Sequence, residues 1–226
     1  SQTCAIFISI LLTAGLLTGI SSLLYSSQRN DLEHDRLIYG DWHYQIHVEA
    51  DLAEKILQNK PGKGYQTVMA GRKIVKDAAE KPFQIFFVET DAHYRQMAHR
   101  QLVEGNYPEH ANEIAADNYT LGNLGFCGEI GDLIEIAGKQ YVLSGIIKSE
   151  WSANADHMEV FVSSQFQGRG AESFVYVKFD EGMPLYKQLD HFLSGFQIAG
   201  DKVWGNDNVT RHLQGEEPDS VYDIVK

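Results

Sequence analysis

The 226 residues carry 31 acidic against 19 basic side chains, a formal net charge of −12 at neutral pH. Nucleic acid needs a basic face and an anionic lipid surface repels an acidic one, so both are disfavoured as partners of the polar part of the chain. With 43% hydrophobic and 11% aromatic residues, the chain has enough apolar matter for one ordinary domain, or one of two lobes, and is not a disordered tail.

Residues 4–25, CAIFISILLTAGLLTGISSLLY, contain no charged side chain. As a helix this run spans about 33 Å, the depth of a bilayer core. A signal peptide has a shorter apolar region, about 7 to 15 residues, and a small-x-small cleavage site, which Ser22 and Leu24 do not provide. The run therefore reads as a membrane helix contacting lipid through residues 4–25. Gly15 and Gly19 form a small-xxx-small pair that permits close helix contact. Nothing breaks the helix after Tyr25. Leu24, Leu32, Leu37 and Tyr39 give a sparse stripe along a polar rod, and the first breaker is Gly40-Asp41. One helix over residues 4–39, about 54 Å long, is expected to continue from the bilayer as a stalk.

Trp42 to Val48 alternates, with Trp42, Tyr44, Ile46 and Val48 on one face and His43, Gln45, His47 and Glu49 on a solvated one. His43 and His47 on a strand stand about 13 Å apart, too far to share a zinc ion. Asp51 is placed to cap a short helix, with Glu54 at the capping-box position. The turn Pro61-Gly62-Lys63-Gly64 lacks the spacing of a phosphate loop. Strands are expected near Tyr65–Ala70 and Phe83–Glu89. Thr90 then caps a helix bearing Tyr94, Met97, Ala98 and Leu102, with His93, Arg95, His99 and Arg100 on a solvated side.

Residues 101–148 form a compact unit. Gly105 and Pro108 punctuate its start, Asn112–Asp117 is short and part apolar, and Asp117 is a good N-cap for a helix ending at Gly125. Gly131-Asp132 turns the chain into Leu133–Ile136, and a turn at Gly138-Lys139 returns it through Tyr141–Ile147. A polar loop with Trp151 follows. Strands are expected at Met158–Ser163 and Ser173–Phe179. Pro184 opens an amphipathic helix carrying Leu185, Leu189, Phe192 and Phe196. Phe196–Val203 reads as a strand, Val209–Leu213 as a short helix, and Glu216–Asp223 as an acidic tail leading back toward the membrane. Cys4 and Cys127 are too differently placed to bridge, and they leave the redox compartment undecided.

The order predicts an α+β fold. Split βαβ halves around an insertion suggest a main lobe, residues 40–100 and 168–226, and an inserted β-rich small lobe, residues 101–167, all preceded by the helix of residues 1–39.

One series of residues carries a resemblance: Glu104-Gly105-x-Tyr107-Pro108, Asn112-Glu113-Ile114-Ala115, Leu121-x-x-Leu124-Gly125, Ile130-Gly131-Asp132, and Tyr141 followed by Ser144-Gly145-Ile146. In this order, over about 45 residues, it resembles the extracytoplasmic (periplasmic core) domain of MacB-type, or FtsX-like, ABC transporter permeases. Phe126-Cys127-Gly128 departs from the pattern. The resemblance implies a two-lobed domain, a second membrane helix beyond Lys226, a bacterial cell membrane with residues 40–226 on the extracytoplasmic side, an ABC ATP-binding protein as partner, and a second permease subunit in a homodimer. It also implies export or release of a peptide, antibiotic or lipoprotein by mechanical transmission.

No nucleophile elbow, His-Glu-x-x-His, Cys-x-x-Cys, EF-hand or Walker spacing is present, so no catalytic, cofactor-binding or metal-binding residue is assigned. Asp41, Glu89, Asp91, Glu113 and Asp132 are scattered over turns and caps. The chain is thus expected not to be an enzyme, with the ATPase in a partner. The alternative is a single-pass, membrane-anchored extracellular binding or hydrolytic module.

Overall fold

The computed structural model describes residues 2–58, 62–79, 84–148 and 158–213, and of residues 2–11 the backbone alone. Helix α1 (Gln2–Tyr39) runs 38 residues unbroken, as the absence of Gly and Pro after Gly19 predicts. It stops at Gly40, which takes φ +90°. A Cβ there would lie 2.7 Å from the Trp42 ring and 2.9 Å from the Met97 carbonyl oxygen, so only glycine fits.

The membrane crossing expected of residues 4–25 is not borne out among the described residues, where no helix is long and apolar enough to cross a membrane. The side chains of residues 4–11 lie outside the described residues. The uncharged run that remains, Leu12 to Tyr25, makes about 21 Å of helix against a bilayer core of about 30 Å. Leu16, Leu17, Leu23 and Leu24 in that run are exposed.

Beyond Gly40 the chain forms β1 (Tyr44–His47), α2 (Ala50–Leu57), β2 (Thr67–Ala79), β3 (Ile85–Thr90), α3 (Ala92–Met97), β4 (Leu102–Gly105), β5 (Glu113–Asp117) and α4 (Asn118–Asn123). It continues through β6 (Leu133–Ile136), β7 (Lys139–Ile147), β8 (Met158–Val162), β9 (Glu172–Phe179), α5 (Leu185–Phe196), β10 (Val203–Gly205) and α6 (Asp207–Leu213). The ten strands make one mixed sheet in the order β10-β1-β9-β2-β3-β8-β5-β7-β4, with β6 on β7. The fold is α+β.

Strands β1 and β2 both lie antiparallel to β9, which sits between them, and β1 separates β9 from β10 in the same way. Two split βαβ units therefore interlock, one from each end of the chain, as the order of elements predicts. Helices α2 and α5 cover one face, where Ala53, Ile56, Leu185, Leu189 and Phe192 pack on Tyr44, Ile46, Val175, Val177 and Phe179. Full burial of each large apolar side chain contributes about 1.5–3 kcal/mol. Helix α3 covers the opposite face through Tyr94 and Met97, against Val88, Phe161 and Tyr176. The sheet continues past β2 through the parallel β3–β8 pair, and Ile85 and Phe87 share a core with Ile114, Ile134, Leu143 and Val160.

Asp117 caps α4 as expected, its Oδ1 accepting from the Thr120 N–H at 2.8 Å, and Gly125 takes φ +69° behind the helix. The β6–β7 hairpin turns on Ala137 (φ +51°) and Gly138 (φ +78°), one residue earlier than predicted.

Other expectations require correction. Helix α2 is capped by Glu49 without a side-chain bond, leaving Asp51 in its first turn, and Glu54 pairs with Arg72. Helix α3 is capped by Asp91, not Thr90, and ends at Met97, which takes Arg100 off the helix. Strand β2 extends nine residues past Ala70. Phe196–Val203 is not a strand: α5 ends at Phe196, and a short 3-10 turn, Gly200–Lys202, leads into β10. Trp151 and the acidic tail lie outside the described residues.

Candidate functional site

The sequence assigned no site residues. The described structure concentrates its polar contacts where α1 meets the domain. Leu32, Asp35, Arg36, Ile38 and Tyr39 are the covered positions of the last two turns of α1, and α6 packs beside them. Asp35 is buried, and its Oδ2 accepts from Arg211 Nη2 at 2.8 Å and lies 2.8 Å from His212 Nε2. Burial works to raise the Asp35 carboxyl, but the bonds from His212 and Arg211 outweigh it and hold the group below its ordinary value.

One residue further, the Arg36 guanidinium reaches Glu181, in the β9–α5 turn, and its Nε lies 3.1 Å from Asp41 Oδ1. Lys178, on β9, closes the ring with Nζ on Asp41. His43 sits inside it, fully buried, with Nδ1 accepting from the Phe179 N–H at 3.1 Å and Nε2 3.5 Å from Glu181 Oε1. The contact with His43 and the charges of Arg36 and Lys178 hold the Glu181 carboxyl down at about 2. His43 was expected on a solvated face. It precedes β1, where alternation no longer fixes direction, and backbone pairing with Val177 and Asn206 carries it inward. Trp42, expected beside Tyr44, packs edge-on against Tyr176 on the other face for the same reason.

Asn206 ties the joint together. It precedes α6 and is buried, and its Nδ2 donates to the carbonyls of Gly40 at 3.1 Å and Trp42 at 3.0 Å, with Tyr39 O at 3.4 Å. Those of Tyr39 and Gly40 are carbonyls that the end of α1 leaves without helical partners. The last turns of α1 are thus fixed to α6, to the β9–α5 turn and, through the Asp41 N–H on Met97 O at 2.6 Å, to the end of α3.

Behind this joint, on the α3 face, lies a buried charge cluster. Lys73 Nζ donates to Glu159 Oε1 at 2.7 Å, and Arg100 reaches Glu159 and Asp117 at 3.4 Å. Burial disfavours the Lys73 ammonium, but Glu159 reverses that and holds its pKa well above the ordinary value. Arg100, expected in solvent, is buried because α3 has ended and the chain has turned into the sheet. The sequence contained one signal for the joint: an Asn-Asp pair ahead of a short amphipathic stretch. It contained none for the pairing of residues so far apart.

No family model matches the chain, and no curated protein matches it. Among solved structures, the chain is similar to the periplasmic region of MacB from Actinobacillus actinomycetemcomitans, at 9% identity and TM-score 0.47, over 83% of this chain and 99% of that one. It is also similar to the extracellular domain of the noncanonic ABC-type transporter YknZ from Gram-positive bacteria, at 10% identity and TM-score 0.46, over 73% of this chain and 98% of that one.

Proposed function

We propose that the chain is the extracytoplasmic domain of an ABC transporter permease, in which α1 carries displacement between a membrane-embedded part and the two-lobed outer domain. The observation that carries this reading is the joint at Gly40. A helix of 38 residues enters it without a break, and Asp35, Arg36 and the Asp41 N–H bind its end to α6, the β9–α5 turn and α3. A continuous helix with a fixed root transmits displacement, whereas a flexible linker absorbs it. The run of residues from Glu104 to Ile146 supports the family reading independently. ATP hydrolysis belongs on this reading to a separate ATP-binding protein, the permease pairs with a second copy, and the region around residues 4–25 meets the bilayer. The exported or released substrate is a peptide, antibiotic or lipoprotein.

The test is to solubilise the full-length protein from its own membrane and purify it under mild detergent. An ATP-hydrolysing subunit is expected to co-purify. Recovery without one, at any detergent concentration that keeps the domain folded, sinks the reading in favour of a membrane-anchored binding module.

A further inference from the structure

Between the root of α1 and helix α3, a partly enclosed cavity of about 90 Å³ opens on the face of the sheet. Its walls are aromatic: Tyr39 and Trp42 from the joint, Tyr94 from α3 and Tyr176 from β9, with Ala98 leaving the space between them. Trp42 and Tyr94 each meet Tyr176 edge-on, at 5.0 and 4.8 Å between ring centres, so the walls brace one another.

The polar lining is one-sided. The buried cluster holds two cations and two carboxylates, yet only the cations, Lys73 and Arg100, line the cavity. Glu159 and Asp117 do not. Glu159 is 1% exposed and presents Oε1 to Lys73 and Oε2 to Arg100 and Tyr94. An ammonium has three N–H donors, and the hydrogen bond to Glu159 uses one of those of Lys73. The faces of Tyr94, Phe174 and Tyr176 surround the same nitrogen at 5.3–5.9 Å, and the Tyr176 hydroxyl oxygen accepts a second of its hydrogens, which leaves one donor. The Tyr176 hydroxyl donates to Gln45 Oε1 at 2.6 Å, so the rim acceptor is already taken.

We propose that this cavity is a binding site for a small amphipathic carboxylic acid. Its carboxylate takes the remaining donor of Lys73, and its apolar body lies among the rings of Trp42, Tyr94 and Tyr176. Burial strengthens such a charge-assisted bond, and the rings replace water around the hydrocarbon. Because Tyr39 and Trp42 flank the break at Gly40, an occupant would touch the root of α1 directly. The proposal does not depend on the transporter reading.

Titration calorimetry of the 226-residue chain with benzoate tests it, with benzylammonium and benzamide as probes of the same shape. Benzoate is expected to bind and benzylammonium not to, with benzamide weaker than benzoate. Lys73→Met should weaken benzoate at least tenfold, the loss of one charge-assisted hydrogen bond. That variant strands Glu159, so Ala98→Leu provides a second arm: it fills the cavity, leaves every charge in place and should also abolish binding. Absence of binding by benzoate at millimolar concentration overturns the proposal. So does unchanged affinity in folded Ala98→Leu or Lys73→Met, or a preference for benzylammonium.

Discussion

Asp35 and Arg211 stand 176 residues apart in the chain and meet at 2.8 Å. The contact joins the end of the long helix to the last described helix, so the first and last elements of the fold brace each other. Asp35→Ala should cost about 1–2 kcal/mol, since Arg211 is half exposed and can recover water while the partly buried His212 recovers less. Amide hydrogen exchange is expected to quicken over residues 32–39 and 207–213 and nowhere in the sheet. Protection unchanged in both helices would show the pair to be incidental.

Asn206 provides a sharper test because its role depends on donor chemistry rather than shape. Asn206→Ala strands the carbonyls of Gly40 and Trp42 and should cost about 2–3 kcal/mol. Asn206→Asp is nearly isosteric and would ordinarily suit a position ahead of a helix. Here it turns a carboxylate toward three carbonyl oxygens, so it should be less stable than Asn206→Ala. Urea denaturation ranks the two, and the reverse order would refute the assignment.

Glu181 sets an acid limit on the joint. Its carboxyl falls from an ordinary 4.5 in the unfolded chain to about 2 in the fold, so the folded state favours the ionised form. The stability this contributes is fully present above about pH 4.5 and is lost as pH falls toward 2. Glu181→Gln should remove that part of the acid dependence and lower stability at neutral pH. If wild type and variant lose stability in parallel between pH 4.5 and 2, His43 and Arg36 do not hold the group as described.

The buried cluster should behave as a unit. Glu159→Gln keeps the shape and removes the charge that balances Lys73 and Arg100. Breaking a buried pair from one side costs about 3–5 kcal/mol. Thermal unfolding of the variant is expected far below that of the parent. A shift of less than about 1 kcal/mol would mean that solvent reaches the cluster.

The coupling role of α1 predicts a separation of activities. Four glycines between Ser26 and Ser27 of the full-length protein should interrupt the helix, each glycine costing about 1 kcal/mol relative to alanine. ATP hydrolysis by the purified complex should survive, and transport should be lost. Transport at the parent rate would reduce α1 to a tether.

What could be read from the sequence follows from how local the determining interactions are. The cap at Asp117, the hairpin around Gly138, the apolar stripe of α5 and the break at Gly40 are set within a few residues, and each was placed to within one or two positions. The interlocked βαβ pattern was legible because element order constrains topology. His43, Arg100 and Asn206 were not, since charged and amide side chains are buried only when distant partners satisfy them, and those partners leave no pattern along the chain. Strand β2 was cut short at Ala70 because Arg72, Lys73, Lys76 and Asp77 break the apolar alternation. In the fold Lys73 is matched by Glu159, Arg72 by Glu54 and Lys76 by Glu89.

The brace between α1 and α6 also decides how this domain could be handled as a part. The chain comes into the sheet at Gly40 and leaves it at α6, and Asn206 holds those two points within one side chain's reach. A unit with its two ends so close can be spliced into a surface loop of another protein without prising that loop apart. Residues 40–213 are therefore suited to transplantation, with the host's own loop ends taking the place of α1.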